Sequence, residues 1–352
     1  MKTASFWHSL GDGRVQCDLC PRACRLSLGM RGACFTRCNI DGDLVATAYG
    51  RTSGLCIDPV EKKPLNHFWP GNSVLSFGTV GCNLSCRFCQ NWELSAARSL
   101  ERLTSAADPD AIAISAFQRG CRAIAYTYND PIVFPEYAID TARAAHELGL
   151  LNIAVSAGYI NPEPRIELFQ HMDAANIDLK GIDERFYRRL TGSELGPVLD
   201  TLRYLAADPH TWLEVTNLVI PRYNDSDDDL HRLVDWVATE LGPDIPLHFS
   251  AFHPDHKMMD VPRTPASTLL KARQTALDSG LHFVYTGNIA DSTSSTTYCP
   301  QCNQSLVERS QYEITTYRLT PDGNCFTCAT PIPGRWPVHP GTFGNHRAPV
   351  RV

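Results

Sequence analysis

The chain has 352 residues, 43% of them hydrophobic, which is enough to bury a sizeable core in one large domain or in one domain with appendages. A net charge of -6 supplies no basic footprint for a nucleic-acid partner, and no run approaches the ~20 apolar residues of a membrane span. The opening MKTASFWHSLGDGR lacks the apolar centre of a signal peptide, so a cytoplasmic protein is expected, and its 14 cysteines read as metal ligands in a reducing compartment rather than as disulfides.

The first element is a cysteine cluster, Cys17-x2-Cys20-x3-Cys24-x9-Cys34, followed by isolated Cys38 and Cys56. These four cysteines fall in a stretch with no recognisable helix or strand pattern. They predict a loop-rich knot folded around a metal, because so small a unit has no core of its own. Zinc is the first choice and an auxiliary iron-sulfur cluster the second. Cys38 or Cys56 can replace one ligand, and unliganded thiols are the ordinary alternative. This segment is assigned to a cysteine-rich unit over residues 1-70.

The body, 71-292, alternates β-branched runs with helical patterns. Strands are predicted at 74-80, 123-128, 152-157, 175-179, 212-220, 246-252 and 282-286, and helices at 109-119, 132-149, 197-207, 227-241 and 265-279. Such alternation predicts an α/β fold, a parallel sheet closed as a partial (β/α) TIM-like barrel, with its chemistry where the strands end. Turn-forming and polar residues do follow each strand: Gly81, Asn129-Asp130-Pro131, Gly158-Tyr159, Lys180-Gly181, Pro221-Arg222, His253-Pro254 and Gly287-Asn288.

After the first strand comes GTVGCNLSCRFCQNW, with the spacing Cys82-x3-Cys86-x2-Cys89. Soft thiolates so close together suit an iron-sulfur cluster. Three cysteines cannot fill four irons, so a [4Fe-4S] cluster held this way keeps one iron open for a substrate or cofactor. A zinc knuckle or buried thiols are the alternatives. Elsewhere in the body, Asp178 and Lys180 alternate on a strand and can simply pair. His248, His253 and His256 are badly spaced for one ion, the run Asp225 to Asp229 suits a helix N-terminus, and Cys121 reads as a packed thiol.

In the last segment, 293-352, Cys299-x2-Cys302 and Cys325-x2-Cys328 form two knuckles able to close a tetrahedral site of zinc or of a single iron. TTYRL between them alternates like a strand beside the turn Pro321-Asp322-Gly323, as in a zinc ribbon or a rubredoxin-like module. The Pro- and Gly-rich tail 331-352 is expected to be a wrapped or disordered extension.

The cysteine spacing with Phe88 before its last member resembles the radical S-adenosylmethionine (radical SAM) superfamily. Five further segments sharpen the likeness: YTYNDP (126-131), VSAGYINPEP (155-164), NIDLKG (176-181), EVTNLVIP (214-221) and VYTGN (284-288). Together with CDLCPRACRL (17-26) and IDPVEKKPLNHFWPG (57-71), the chain resembles the AmmeMemoRadiSam system radical SAM enzymes, relatives of the pyruvate formate-lyase activating enzymes. The resemblance implies a [4Fe-4S] cluster on Cys82, Cys86 and Cys89 that chelates SAM. It places Asn129 and Asp130 at the turn that caps the SAM ammonium, where a glycine and a glutamate are more usual. Phe88, Asn91, Ser156, Thr216 and His253 fall at cofactor-contacting positions. Asp178 and Lys180 match an Asp-x-Lys beside the SAM carboxylate and a cation, although Val155 stands where the activating enzymes carry an aspartate cation ligand.

The expected activity is reductive cleavage of SAM to a 5'-deoxyadenosyl radical that abstracts hydrogen from a substrate, an oxidoreductase reaction needing no catalytic side chain beyond the cluster ligands. Tyr128 and Tyr159 are the candidates for a substrate-side relay. The electron would come from flavodoxin or ferredoxin, and Memo-type and AMMECR-type proteins are the implied partners. The alternatives are a glycyl-radical activating enzyme, a non-catalytic iron-sulfur and zinc scaffold or electron carrier, and a nucleic-acid modifying enzyme.

Overall fold

The computed structural model describes residues 2-100 and 105-351, so the end residues Met1 and Val352 of the two expected outer units lie outside it. Its centre is a sheet in which an antiparallel strand, β1 (Arg51–Pro59), is followed by β2 (Ser73–Gly78), β3 (Ala123–Tyr126), β4 (Leu151–Ser156), β5 (Ala174–Asp178), β6 (Trp212–Val219), β7 (Leu247–Ala251) and β8 (Val284–Gly287). From β2 to β8 each strand pairs in parallel with the next, in chain order. Helices α1 (Pro109–Gln118), α2 (Pro135–Glu147), α3 (Pro162–Phe169), α4 (Gly196–Ala207), α5 (Asp227–Trp236) and α6 (Ala266–Asp278) return the chain between them. The sheet stays open, with β8 at one edge and the short strand Ala348–Pro349 beyond β1 at the other, so the barrel is partial.

Parallel strands under helical crossovers are buried on both faces, which explains the near-continuous apolar runs. β3 is buried throughout, and Phe77 of β2 packs against Tyr126, Phe134 and Tyr137 with ring centres 5.4 to 6.1 Å apart. The register aligns the strand ends: Phe77 sits opposite Tyr126 and Asp178 opposite Thr216. Ser226 caps α5, its hydroxyl accepting from the Asp229 amide at 3.2 Å, and Asp227, Asp228 and Asp229 form the acidic first turn.

The N-terminal knot contains more regular structure than expected. Trp7–Gly11, Arg14–Cys17 and Arg25–Leu26 form one small antiparallel sheet, and Lys2–Thr3, Arg37–Ile40 and Asp43–Ala46 another. Strands of two to five residues are too short to show an alternation in sequence. The C-terminal unit is a three-stranded antiparallel sheet of Thr297–Tyr298, Ser305–Ser310 and Glu313–Tyr317.

Segment 57-71 ties these parts together. The Arg309 guanidinium donates to the Asn66 carbonyl at 2.6 Å, and Arg335 and His67 are linked backbone to backbone at 2.7 Å. His67 sits at the centre of the junction: its Nδ1 donates to the Pro333 carbonyl at 2.6 Å and its Nε2 accepts from Tyr285 Oη at 2.5 Å. The tail wraps, since Ala348–Pro349 adds a short strand to β1. No helix among the described residues is long and apolar enough to cross a membrane.

Candidate active site

The loop after β2 is shaped by close backbone approaches. Gly81 has φ +79°, and a Cβ there would lie 1.9 Å from the Cys34 carbonyl oxygen, so no other residue fits without displacement. The loop is then pinned from several sides. The Ser85 and Arg87 amides donate to Thr191 and Leu190 carbonyls, both at 2.8 Å, and Asn83 Nδ2 donates to the Tyr159 carbonyl at 2.8 Å. Phe88 is buried, its ring 6.3 Å from that of Phe186.

Cys82, Cys86 and Cys89 open into one cavity at the C-terminal ends of the parallel strands, with about 980 Å³ of space that is partly open to solvent. Phe88, Asn91, Asn129, Asp130, Ser156, Asp178, Lys180 and Thr216 all line it, as does Tyr128. His253 does not. Its exposed side chain meets Gln90 at 3.3 Å, and Gln90 is itself a lining residue. Tyr159 is buried and contributes its carbonyl to the loop. His248 pairs with Glu214 at 2.6 Å and His256 stacks on Trp92, so the three histidines of this region are occupied separately. Cys121 is a buried core thiol.

The polar groups of the cavity are held by specific partners. Asn129 accepts from the Thr79 amide at 3.1 Å and donates to Thr79 Oγ1 at 3.0 Å and to the Gly81 carbonyl at 2.9 Å, so its amide braces the cysteine loop. Asp130 accepts from the Ile132 amide, Ser156 Oγ and the Ala157 amide at 2.9 to 3.1 Å. Burial pushes its carboxyl up to about 6, against those three donors and the charge of Lys180. Lys180 Nζ lies 2.8 Å from Asp178 Oδ2. Burial pulls this lysine down, but Asp178 and the nearby Cys86 outweigh it and hold the ammonium above its ordinary value.

Burial also raises the thiols, Cys86 to about 12 and Cys82 well above the usual range, so coordination to metal is what would ionise them. Three thiol donors facing a cavity of mixed donors and acceptors fit a site-open [4Fe-4S] cluster with a zwitterionic cofactor beside it. Val155 lines the cavity without offering an oxygen to a cation. Sequence reasoning missed Gln90, Ser95, Ser250 and Asn288 as lining residues. The Gly287-Asn288 turn was a usable signal for the last pair, since Asn288 Nδ2 donates to Ser250 Oγ at 2.9 Å.

The two outer cysteine groups differ. Cys299, Cys302, Cys325 and Cys328 bring all four thiols within 4.8 Å of one another. Cys17, Cys20, Cys24 and Cys34 instead line a separate buried space, while Cys38 and Cys56 lie elsewhere, Cys38 against the Gly29 carbonyl and Cys56 in β1.

The family comparison agrees with this geometry. The family description Radical SAM superfamily matches residues 77-237. An uncharacterized protein of Methanocaldococcus jannaschii is 44% identical over 309 residues, 88% of this chain and 92% of that protein. The pyruvate formate-lyase-activating enzyme of Clostridium pasteurianum is 23% identical over 167 residues, 45% of this chain and 66% of the enzyme. Among solved structures, a radical SAM methyltransferase from Sphaerobacter thermophilus aligns at TM-score 0.48 and 16% identity, covering 62% of this chain and 67% of that one. The chain belongs to the radical SAM superfamily and is related to the pyruvate formate-lyase activating enzymes.

Proposed function

We propose that this chain cleaves S-adenosylmethionine reductively in the cavity above Cys82, Cys86 and Cys89 and abstracts hydrogen from a substrate bound at the same mouth. The observation that carries this reading is the convergence of the three thiols with Asp130, Ser156, Asp178, Lys180 and Thr216 on one cavity. When bound there, a [4Fe-4S] cluster and SAM supply the one-electron scission of the sulfonium and the 5'-deoxyadenosyl radical. Radical SAM enzymes take that electron from a low-potential reductant, and flavodoxin or ferredoxin is the proposed donor.

The side chains of this chain bind and orient. Lys180, kept charged by Asp178, is suited to a carboxylate, and Asp130 presents a fixed acidic group whose oxygens are already anchored. Asn129 keeps the cysteine loop in place rather than reaching out to the ligand. Phe88 closes the apolar floor.

For the wider role we favour a system with Memo-type and AMMECR-type proteins over activation of a glycyl-radical enzyme. Likeness to the C. pasteurianum activating enzyme covers 45% of this chain, and the N-terminal knot and C-terminal ribbon add surfaces that an activator of a glycyl-radical enzyme does not require. The test is anaerobic reconstitution with iron and sulfide, reduction by dithionite, addition of SAM, and quantification of 5'-deoxyadenosine against Cys86→Ala. Product from the unsubstituted protein alone supports the reading. Failure of the assembled cluster to bind SAM overturns it. A glycyl-radical signal on an added partner enzyme would replace the Memo-type assignment with the activating one.

A further inference from the structure

We infer that the N-terminal knot holds a second, fully protein-ligated iron-sulfur cluster on Cys17, Cys20, Cys24 and Cys34, and not a single zinc ion. The C-terminal ribbon supplies the internal standard. Tetrahedral zinc with bonds near 2.3 Å separates its thiolates by about 3.8 Å. In the ribbon, Cys299 and Cys328 sulfurs are 3.5 Å apart and those of Cys302 and Cys325 3.7 Å, so these thiols are already gathered for one ion. Among the described residues, that ribbon set is the group whose ligand atoms crowd within 4.8 Å. The four N-terminal thiols do not close up in this way. They line one shared space together with Leu19, Arg37 and Val133. The Cys82, Cys86 and Cys89 set is spread around a cavity in the same manner. Thiolates so spread suit ligation of different irons in one cluster.

Arg37 is an independent observation. Its side chain is completely buried and lines this space. One terminal nitrogen donates to the Ser5 carbonyl at 2.7 Å and the other to Glu136 at 2.5 Å, while Nε has no hydrogen-bond partner. A buried N–H left unpaired is costly, and an inorganic sulfide or a cluster thiolate is an acceptor that would satisfy it. The knot also abuts the other cysteine loop. Asn83, the neighbour of Cys82, lines the same space, and the Arg22 guanidinium donates to the Asn83 carbonyl.

The experiment uses the full chain with Cys82→Ala, Cys86→Ala and Cys89→Ala combined, which leaves the knot intact, reconstituted anaerobically with iron, sulfide and zinc. The expected result is about four iron and four acid-labile sulfide per chain, a reduced-cluster electron paramagnetic resonance signal that SAM does not alter, and loss of both on adding Cys20→Ser. A folded triple variant with zinc at both outer sites and no sulfide overturns the inference. If the triple variant does not fold, Mössbauer spectra of the unsubstituted protein decide. Two cluster populations, one of them insensitive to SAM, support the proposal, and a single SAM-sensitive population overturns it.

Discussion

Asn129 Nδ2 donates to the carbonyl of Gly81 at 2.9 Å, which joins the end of β3 to the start of the cysteine loop. The same side chain pairs with both the amide and the hydroxyl of Thr79, so one residue satisfies three groups of the segment that carries Cys82. Replacing it with alanine strands buried polar atoms, at a cost of about 1 to 3 kcal/mol. Asn129→Ala should therefore lower the unfolding free energy by that amount and hasten iron loss to a chelator. Unchanged iron retention would show that the loop holds itself.

Lys180 is the cationic side chain paired within the cavity wall, 2.8 Å from Asp178. A charge-assisted hydrogen bond to a carboxylate contributes about 1.5 to 3 kcal/mol, so Lys180→Met should weaken SAM binding roughly tenfold or more. Titration calorimetry on the reconstituted protein measures this, with iron and sulfide content as the control for an intact cluster. A dissociation constant equal to that of the unsubstituted protein removes Lys180 from the binding set.

The ribbon thiols are preassembled, with Cys302 exposed and 3.7 Å from Cys325. Cys302→Ser should release the C-terminal metal, read by elemental analysis, and loosen the strands it staples. The iron-sulfur spectrum at Cys82, Cys86 and Cys89 should persist, because the ribbon packs on segment 57-71, on Phe283 and on Tyr285 of β8, away from the cysteine loop. Simultaneous loss of that spectrum would mean the two sites fold as one unit.

The parallel strands were legible because each is an apolar β-branched run of ordinary length, and predicted 152-157 and 212-220 fall within a residue of Leu151–Ser156 and Trp212–Val219. β1 was not, since RTSGLCIDP carries Gly54 and Pro59, which break the pattern of a strand. Helix α3, PEPRIELF, is too short and polar to show a period. At the site, the family resemblance pointed to Asp130, Ser156, Asp178 and Thr216, and the parallel register brings them to one cavity. The same resemblance pointed to His253, whose ring meets Gln90 and is not part of the cavity wall. The junction of His67 with Tyr285 and Pro333 joins residues more than 200 positions apart, and no local pattern announces it.

That junction gives a pH dependence. Burial holds His67 down to about 4, more than the nearby Glu214 carboxylate can offset. The unfolded chain, with an ordinary histidine near 6.5, therefore takes up the proton first as pH falls. The stability that His67 contributes is present above about 6.5 and is lost as pH drops toward about 4, on the order of 3 kcal/mol in all. Glu61 and Asp130, which burial raises to about 7 and about 6, contribute the opposite slope, so the measurable effect is a difference: urea unfolding at pH 7.5 and pH 5 should lose more stability on acidification in the unsubstituted protein than in His67→Asn. An identical slope in the variant would assign the effect to other groups.

Gly81→Ala tests whether the two cysteine segments depend on each other. Its positive φ alone costs a side chain about 1 to 2 kcal/mol. Gly149, also at positive φ (+72°), has open space where its Cβ would go and isolates that conformational cost. At Gly81 the added carbon would meet the Cys34 carbonyl at 1.9 Å and the Phe35 Cβ at 3.4 Å, so either the knot or the cysteine loop must move. Gly81→Ala should therefore destabilise by at least about 2 kcal/mol more than Gly149→Ala and should lower iron retention at Cys82, Cys86 and Cys89. Equal losses in the two variants would mean that the Cys34 backbone yields freely, and that the knot is packed against the active-site loop without constraining it.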